Sequence, residues 1–191
     1  MFIDFLTLVL INLVAGLFIV AAYLFKGLDQ EDQHAWAAPF FGVGLISLLT
    51  GLQISFTWPL PSAYNIAFGD TTTLFGAVLL IAAIALWKGW SLTPASILGF
   101  FAGIPPIIFG IRIYNLQITQ SPLLASIGFV LAGLAGVLSA PFMLWWQKSK
   151  VIRVIAIILL LAAAGVWFVT YVGSAWNHMT SFASWAPVLG Q

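Results

Sequence analysis

The stretch LLASIGFVLAGLAGVLSAPFMLWW, residues 123–146, decides the fold class of this chain. It runs for 24 residues without a single charged side chain. A helix that crosses the hydrocarbon core of a bilayer needs about 20 predominantly apolar residues. The stretch is therefore predicted to form a transmembrane helix.

Five other stretches share this apolar character. Backbone groups in lipid must pair internally, and the sequence lacks the alternating pattern of barrel strands, so each stretch is predicted to be a helix. The predicted spans are residues 5–25, 36–56, 72–87, 93–113, 123–146 and 151–176. The expected fold is all-α, a polytopic bundle of six transmembrane helices that forms a single domain, residues 1–191, with an outer tail at residues 177–191.

The composition of the whole chain agrees with this fold class. The chain has 191 residues, of which 62% are hydrophobic and 6% charged, and its mean hydropathy is +1.11. Soluble domains carry about 25% charged residues, so the predicted partner is the lipid bilayer and the predicted location is the cell membrane. No basic face is present for nucleic acid. The chain has no cysteine, which excludes disulfides and thiol catalysis.

The basic residues predict how the chain is oriented in the membrane. Five of the six basic residues fall on one side of the predicted bundle: Lys26, Lys88, Lys148, Lys150 and Arg153. Only Arg112 lies toward the other side. Because basic residues near span ends favour the cytoplasm, both termini are predicted to be extracytoplasmic.

Small residues three or four apart indicate how the helices pack. Helices in lipid associate through close contacts of small side chains. The fourth helix has the pair Gly99 and Gly103, the fifth has Ala132, Gly136 and Ala140, and the sixth has Ala162 and Gly165. These seams are predicted to lie within the bundle, although a seam that faces a partner subunit is an alternative.

Two further patterns concern the middle of the chain. Phe40–Phe41 and Phe100–Phe101 are 60 residues apart, which suggests that helices two–three and four–five are a duplicated hairpin. Duplications of this kind are common in transport folds. The adjacent Pro105 and Pro106 predict a kink in the fourth helix, as a packing adjustment or as the shoulder of a pocket.

Polar residues gather on the predicted outer side, around the loop TWPLPSAYNIAFGD, residues 57–70. Asp70 is predicted to cap the third helix and to form an ion pair with Arg112, although Arg112 alone would snorkel to the headgroups. The amides are predicted to line an outward-facing site or to hydrogen-bond between helices. The candidate binding residues are Asp70, Arg112, Gln53, Asn65, Asn115, Trp58 and Asn12.

Chemistry beyond binding has little support in the sequence. Hydrolase, metalloprotease and nucleotide-binding motifs are missing, so the chain is predicted not to be an enzyme and to have no metal site. No cofactor is predicted. His178 is a candidate axial ligand should the protein carry a haem, and a pigment or quinone is a further alternative.

Several segments together resemble a known family. They are NLVAG in the first helix, FTWPLPSAYNIAFGD and LFGA around the loop, IRIYNL after the fourth helix, and SAPF in the fifth. The chain resembles the Domain of Unknown Function 981 family of bacterial and archaeal integral membrane proteins. The resemblance implies a polytopic membrane protein and supplies no catalytic residue.

The function expected from these observations is that of a non-enzymatic accessory or interaction subunit of a larger membrane assembly, with an extracytoplasmic binding surface. Its partners would be other membrane subunits or further copies of itself. The alternatives are a small-solute transporter or channel, and a carrier of haem, pigment or quinone.

Overall fold

The structure, a computed structural model, describes residues 5–184. Within this range the chain is helical and has no strand, and six of its helices are long and apolar enough to cross a membrane. The predicted all-α class and the number of spans are confirmed. The architecture is that of a multi-pass membrane protein.

The helices have bounds close to those predicted. They are α1 Phe5–Ala22, α2 His34–Thr57, α3 Thr71–Lys88, α4 Thr93–Leu116, α5 Pro122–Pro141 and α6 Lys150–Ser181. A π-helical turn extends three of them: Tyr23–Gly27 after α1, Asn65–Asp70 before α3, and Phe142–Trp146 after α5.

Two predicted boundaries differ from the structure. The third span begins at Asn65 rather than at residue 72, because the end of the polar loop is already helical. The sixth helix continues to Ser181, so residues 177–181 of the predicted tail are helical. Residues 185–191 of that tail lie outside the described range.

The six helices form a closed ring in chain order. Each helix packs against the next one in sequence, and α6 returns to pack against α1. The most extensive contacts are those within the α2–α3 and α4–α5 hairpins. Connections of only a few residues explain this order, because short connections place consecutive helices side by side and antiparallel.

Glycines bring both hairpins together at the same relative positions. A Cβ atom on Gly103 of α4 would lie 2.5 Å from the carbonyl oxygen of Gly133 in α5. A Cβ atom on Gly44 of α2 would lie 2.8 Å from the amide nitrogen of Leu80 in α3. One glycine pair is equivalent in the two hairpins: a Cβ atom on Gly76 would lie 2.8 Å from the Gly44 carbonyl oxygen, and one on Gly136 would lie 2.8 Å from the Gly103 Cα. Gly44 and Gly103 are 59 residues apart and Gly76 and Gly136 are 60, so these contacts support a duplicated hairpin.

The small-residue seam of α6 faces away from the bundle, whereas it was predicted to lie within the bundle. A Cβ atom on Gly165 would meet no atom within 4 Å, and Ala162 is exposed. The face of α6 that packs into the ring instead carries Ala163, Ala164 and Trp167. The seams of α4 and α5 do lie inside the bundle, whereas the α6 seam does not.

The ring has two distinct ends. We call the end with connections 28–33, 89–92 and 147–149 the basic end, since it carries the five clustered basic residues, and the end with connections 58–64 and 117–121 the opposite end. At the basic end, Arg153 of α6 forms a two-pronged ion pair with Asp29, in which Nη2 lies 2.9 Å from Oδ1. This guanidinium holds the pKa of Asp29 below its usual range.

Helix α4 runs without interruption from Thr93 to Leu116, through both Pro105 and Pro106. The two prolines therefore do not end or divide the helix. Pro106 is buried and lines a cavity inside the ring, as the pocket-shoulder alternative predicted.

Candidate functional site

The ring of helices encloses a chamber. Its volume is about 280 Å³, and all six helices contribute to its wall, with α2 contributing least. On α6 the wall extends from Ile152 to Trp167. These positions are fifteen residues apart, which is about 22 Å along a helix. The chamber is therefore long and narrow, and it runs parallel to the helices.

Three aromatic side chains close the chamber toward the opposite end. Phe68 comes from the π-helical turn before α3, Phe129 from α5 and Trp167 from α6. Their ring centroids are 5.0–6.1 Å apart, a spacing that favours tilted and edge-to-face contacts. The Trp167 indole donates a hydrogen bond to the carbonyl oxygen of Gly128 at 3.1 Å, which fixes the orientation of this ring.

The other two π-helical turns supply the wall toward the basic end. Tyr23 and Leu24 come from the turn after α1, and Phe142, Met143 and Trp146 from the turn after α5. A π-helical turn changes the direction in which side chains leave a helix, and such turns are frequent at functional sites. All three π-helical turns within residues 5–184 thus contribute side chains to the chamber.

Three hydroxyl groups in the wall are already hydrogen-bonded within the protein. Thr71 donates to the carbonyl oxygen of Ala67 at 2.5 Å, and Ser96 to that of Thr93 at 2.7 Å. Ser139 donates to the carbonyl oxygen of Ser96 at 2.8 Å. Because these donors have partners in the protein, the surface offered to a ligand is almost entirely apolar.

The predicted site residue Asn65 stabilises the loop that precedes it. Its side chain is fully buried. Its Oδ1 accepts a hydrogen bond from the amide of Leu60 at 2.7 Å, and its Nδ2 donates to the carbonyl oxygen of Ser62 at 3.0 Å. Trp58 and Ser62 have φ values of 51°, so this loop is a compact turn. Asn65 is a loop-forming residue rather than part of an open pocket.

The predicted ion pair between Asp70 and Arg112 is not formed. Asp70 accepts a hydrogen bond from Ser55 at 3.3 Å, and among residues 5–184 the acidic groups in ion pairs are Asp29 and Asp32. The predicted cap is also wrong, because the helix begins at Asn65 and Asp70 lies inside it with helical φ and ψ angles. Arg112 is exposed, as expected for a side chain that snorkels.

The remaining predicted residues do not converge on one site. Asn12 is buried and its Nδ2 donates to Ser47 at 2.8 Å and to the carbonyl oxygen of Val43 at 3.0 Å, so it connects α1 to α2. Gln53 bonds only to Thr57, one turn further along α2. Trp58 and Asn115 are exposed, and His178 lies in the last turn of α6 beside Phe182. None of these side chains lines the chamber.

Sequence reasoning missed the chamber because its lining consists of apolar residues that are common in any transmembrane helix. One signal was present. Trp167 lies nine residues before the end of the sixth predicted span, which is too deep for a tryptophan of the interfacial belt. A tryptophan at that depth needs a partner for its indole N–H, and this requirement indicates a packed aromatic site.

The comparisons with known proteins show the family of this chain. A family model described as "Protein of unknown function (DUF981)" matches residues 1–181. The chain belongs to the DUF981 family. No curated protein and no solved structure matches it. Within residues 5–184 of this DUF981 member, no group of three His, Cys, Asp or Glu side chains is placed to hold a metal ion.

The chemistry of the chamber in this DUF981 member follows from its lining. Among the residues that the structure describes, the lining contains no histidine, carboxylate or basic side chain. Such a wall supplies mainly dispersion contacts and exclusion from water, and its few polar groups are chiefly hydroxyls. The arrangement is suited to holding an apolar molecule.

Proposed function

We propose that this protein binds a lipid-soluble molecule with a linear apolar chain inside the chamber and catalyses no reaction on it. The single observation that carries the proposal is the apolar chamber within the ring of six helices. Pockets for small molecules are concave, mostly apolar and largely pre-formed, and this chamber has all three properties.

The shape of the chamber favours a chain over a broad ring system. A volume of about 280 Å³ spread over about 22 Å of helix length leaves a narrow cross-section. An acyl or prenyl chain, including the tail of a quinone, meets this requirement. A haem or chlorophyll macrocycle is wider, and His178 is eleven residues beyond Trp167, about 16 Å along α6.

The lining also argues against a path for polar solutes. An ion or a hydrated solute needs polar partners to replace its water, whereas the hydroxyl donors of Thr71, Ser96 and Ser139 are bonded within the protein. A transport role would therefore concern a lipid-soluble substrate. The excess of basic residues at the basic end supports a cytoplasmic location for that end in the cell membrane.

Lipid extraction and mass spectrometry of the purified protein test the proposal. The expected result is a chain-bearing molecule that co-purifies in a fixed ratio to the protein. Ala156→Leu, which places a larger side chain in the chamber wall, should lower that ratio. Ala162→Leu makes the same change on the exposed face of the same helix and should leave the ratio unchanged. Equal lipid retention by both variants would contradict a chamber-bound ligand.

A role as an accessory subunit, or self-association, is a second candidate function. It is favoured by the exposed face of α6, where added Cβ atoms on Gly165 and Gly173 would meet nothing within 4 Å. Small residues on such a face allow close approach of another transmembrane helix. Blue-native electrophoresis of gently solubilised membranes should show a larger complex that Gly165→Leu disrupts. A lone monomer in both samples would contradict this role.

A further inference from the structure

The exposed residues of the chamber wall fall in one region of the protein. Three of its lining residues are exposed, namely Leu138 at 41%, Trp146 at 39% and Ile155 at 57%. The other described residues of the wall are buried or half-buried. Leu138 lies near the end of α5, Trp146 lies in the π-helical turn after α5, and Ile155 lies near the start of α6. The opening, here called the portal, therefore lies between α5 and α6 in the half of the bundle nearest the basic end.

The portal lies beside a positively charged connection. Residues 147–149 join the two helices of the portal, and Lys148 and Lys150 are both exposed there. The nearby Arg153 is paired with Asp29, so these two charges compensate each other. The positive charge of Lys150 also lowers the pKa of the Asp29 carboxyl. The four groups together carry three positive charges and one negative charge, which leaves an excess of two positive charges.

These two observations specify the ligand that was proposed above. We infer that the chamber takes an anionic single-chain amphiphile, which enters sideways from the bilayer through the portal. The chain lies along the chamber with its end toward Trp167. The anionic headgroup stays at the mouth of the portal, near Lys148 and Lys150. This inference rests on the proposed function, since it presupposes that a chain occupies the chamber.

The position of the portal along the membrane normal agrees with the position that a lipid headgroup occupies. A membrane amphiphile keeps its headgroup at the interface, and the portal lies in the half of the bundle that ends in the lysine-bearing connection. A chain entering there reaches the aromatic cluster of Phe68, Phe129 and Trp167 without withdrawing its headgroup from the interface. Basic residues at such a surface attract anionic lipids.

Binding measurements with two matched probes test the inference. Hexadecyl phosphate and hexadecanol share one chain and differ in headgroup charge. The wild-type protein in neutral nanodiscs should bind hexadecyl phosphate more tightly than hexadecanol. The double substitution Lys148→Gln and Lys150→Gln should weaken hexadecyl phosphate binding roughly 30-fold and leave hexadecanol binding unchanged. High salt should weaken binding of the phosphate only.

Lys88→Gln provides the control variant. Lys88 also lies at the basic end but terminates α3, which packs mainly against α2 and α4, so this change should leave both affinities unaltered. Equal affinities of wild type for the two probes would overturn the headgroup assignment while leaving chain binding in place. Failure of both probes to bind would instead contradict the proposed function itself.

Tryptophan quenching tests the direction of the chain independently of the lysines. In hexadecyl phosphate that carries a bromine near the phosphate end, the bromine should quench the fluorescence of Trp146, so the quenching should be lost in Trp146→Phe. In hexadecyl phosphate that carries a bromine near the methyl end, the bromine should quench the fluorescence of Trp167, so the quenching should be lost in Trp167→Phe. The reverse assignment, or equal effects of both variants on both probes, would overturn entry through the portal.

Discussion

The Tyr64 hydroxyl donates a hydrogen bond to the carbonyl oxygen of Ile118, 2.7 Å away, and so joins the two connections at the opposite end of the bundle. The Tyr64 ring also stacks on Phe68, with a centroid separation of 6.1 Å. Phe68 in turn packs against the aromatic residues of the chamber. The hydrogen bond from the Tyr64 hydroxyl to the Ile118 carbonyl oxygen therefore anchors the polar loop, in place of the predicted ion pair between Asp70 and Arg112.

Tyr64→Phe is expected to destabilise the protein by about 1 kcal/mol, because it removes this hydrogen bond and keeps the ring. Thermal unfolding in detergent measures the effect. The matched control is Tyr114→Phe, which removes the hydroxyl of an exposed tyrosine and should be neutral. Burial raises the pKa of Tyr64, so its hydroxyl remains a donor at neutral and mildly alkaline pH. Equal melting temperatures for wild type and Tyr64→Phe would contradict a stabilising bond.

The ion pair between Asp29 and Arg153 makes stability depend on pH at the acidic end of the range. The Arg153 guanidinium lowers the pKa of Asp29 below its ordinary value of 3.8. A carboxyl group with a lower pKa in the folded state stabilises the fold above the ordinary pKa, and this contribution disappears as the pH falls through the folded-state pKa.

Asp29→Asn should therefore lower the melting temperature at pH 7 and have little effect at a pH below the folded-state pKa. Thermal melts across that range measure the difference. Glu31→Gln, a change of an exposed acid in the same connection, should be neutral throughout. A pH-independent effect of Asp29→Asn would show that the carboxylate charge is not responsible.

Close packing in the α4–α5 hairpin should make Gly103 intolerant of any side chain. Gly103→Ala is expected to cost about 1–3 kcal/mol, because its Cβ would lie 2.5 Å from backbone atoms of Gly133 and Val137. Gly42→Ala places the same methyl group in open space on α2 and should be neutral or slightly stabilising. Denaturant titrations of both variants compare them directly, and similar stabilities would argue against a tight seam.

Asn12 and Ser47 should be energetically coupled across the α1–α2 interface. Interhelical hydrogen bonds in membranes contribute about 0.6 kcal/mol on average and up to about 1.7 kcal/mol. A double-mutant cycle with Asn12→Leu and Ser47→Ala isolates this term. We expect a coupling in that range. Strictly additive effects would mean that Asn12 contributes only through its bond to the Val43 carbonyl.

The absence of cysteine makes the orientation in the membrane directly measurable. Glu31→Cys reports on the basic end and Gln120→Cys on the opposite end, and both positions are exposed. A membrane-impermeant maleimide should label Gln120→Cys in intact cells and Glu31→Cys only after permeabilisation, since the basic end is predicted to be cytoplasmic. The reverse labelling pattern would invert the proposed orientation.

The sequence by itself determined the helices and several of their contacts. Length and apolarity specify a transmembrane helix without reference to any neighbour, because lipid forces each segment to satisfy its own backbone. The six spans were predictable for this reason, and the contact at Gly103 was predictable from the pair of small residues Gly99 and Gly103, since small side chains let helices approach closely in lipid. Asn12 was likewise predictable as a residue that joins helices, since a buried amide in lipid needs a partner.

Only the tertiary structure decided where those helices leave space. The chamber depends on which faces of all six helices point inward. In a membrane protein both faces of a helix are apolar, so the sequence does not distinguish a leucine that faces the chamber from one that faces lipid. The side of α6 that carries Gly165 was misjudged for this reason. The sequence places Asp70 and Arg112 at the same end of the bundle. An ion pair, however, requires their charged groups to lie within a few ångströms of each other, and the rotation of each helix in the closed ring sets that distance. Phe68 faces the chamber because a π-helical turn, absent from any sequence pattern, redirects the start of the third span.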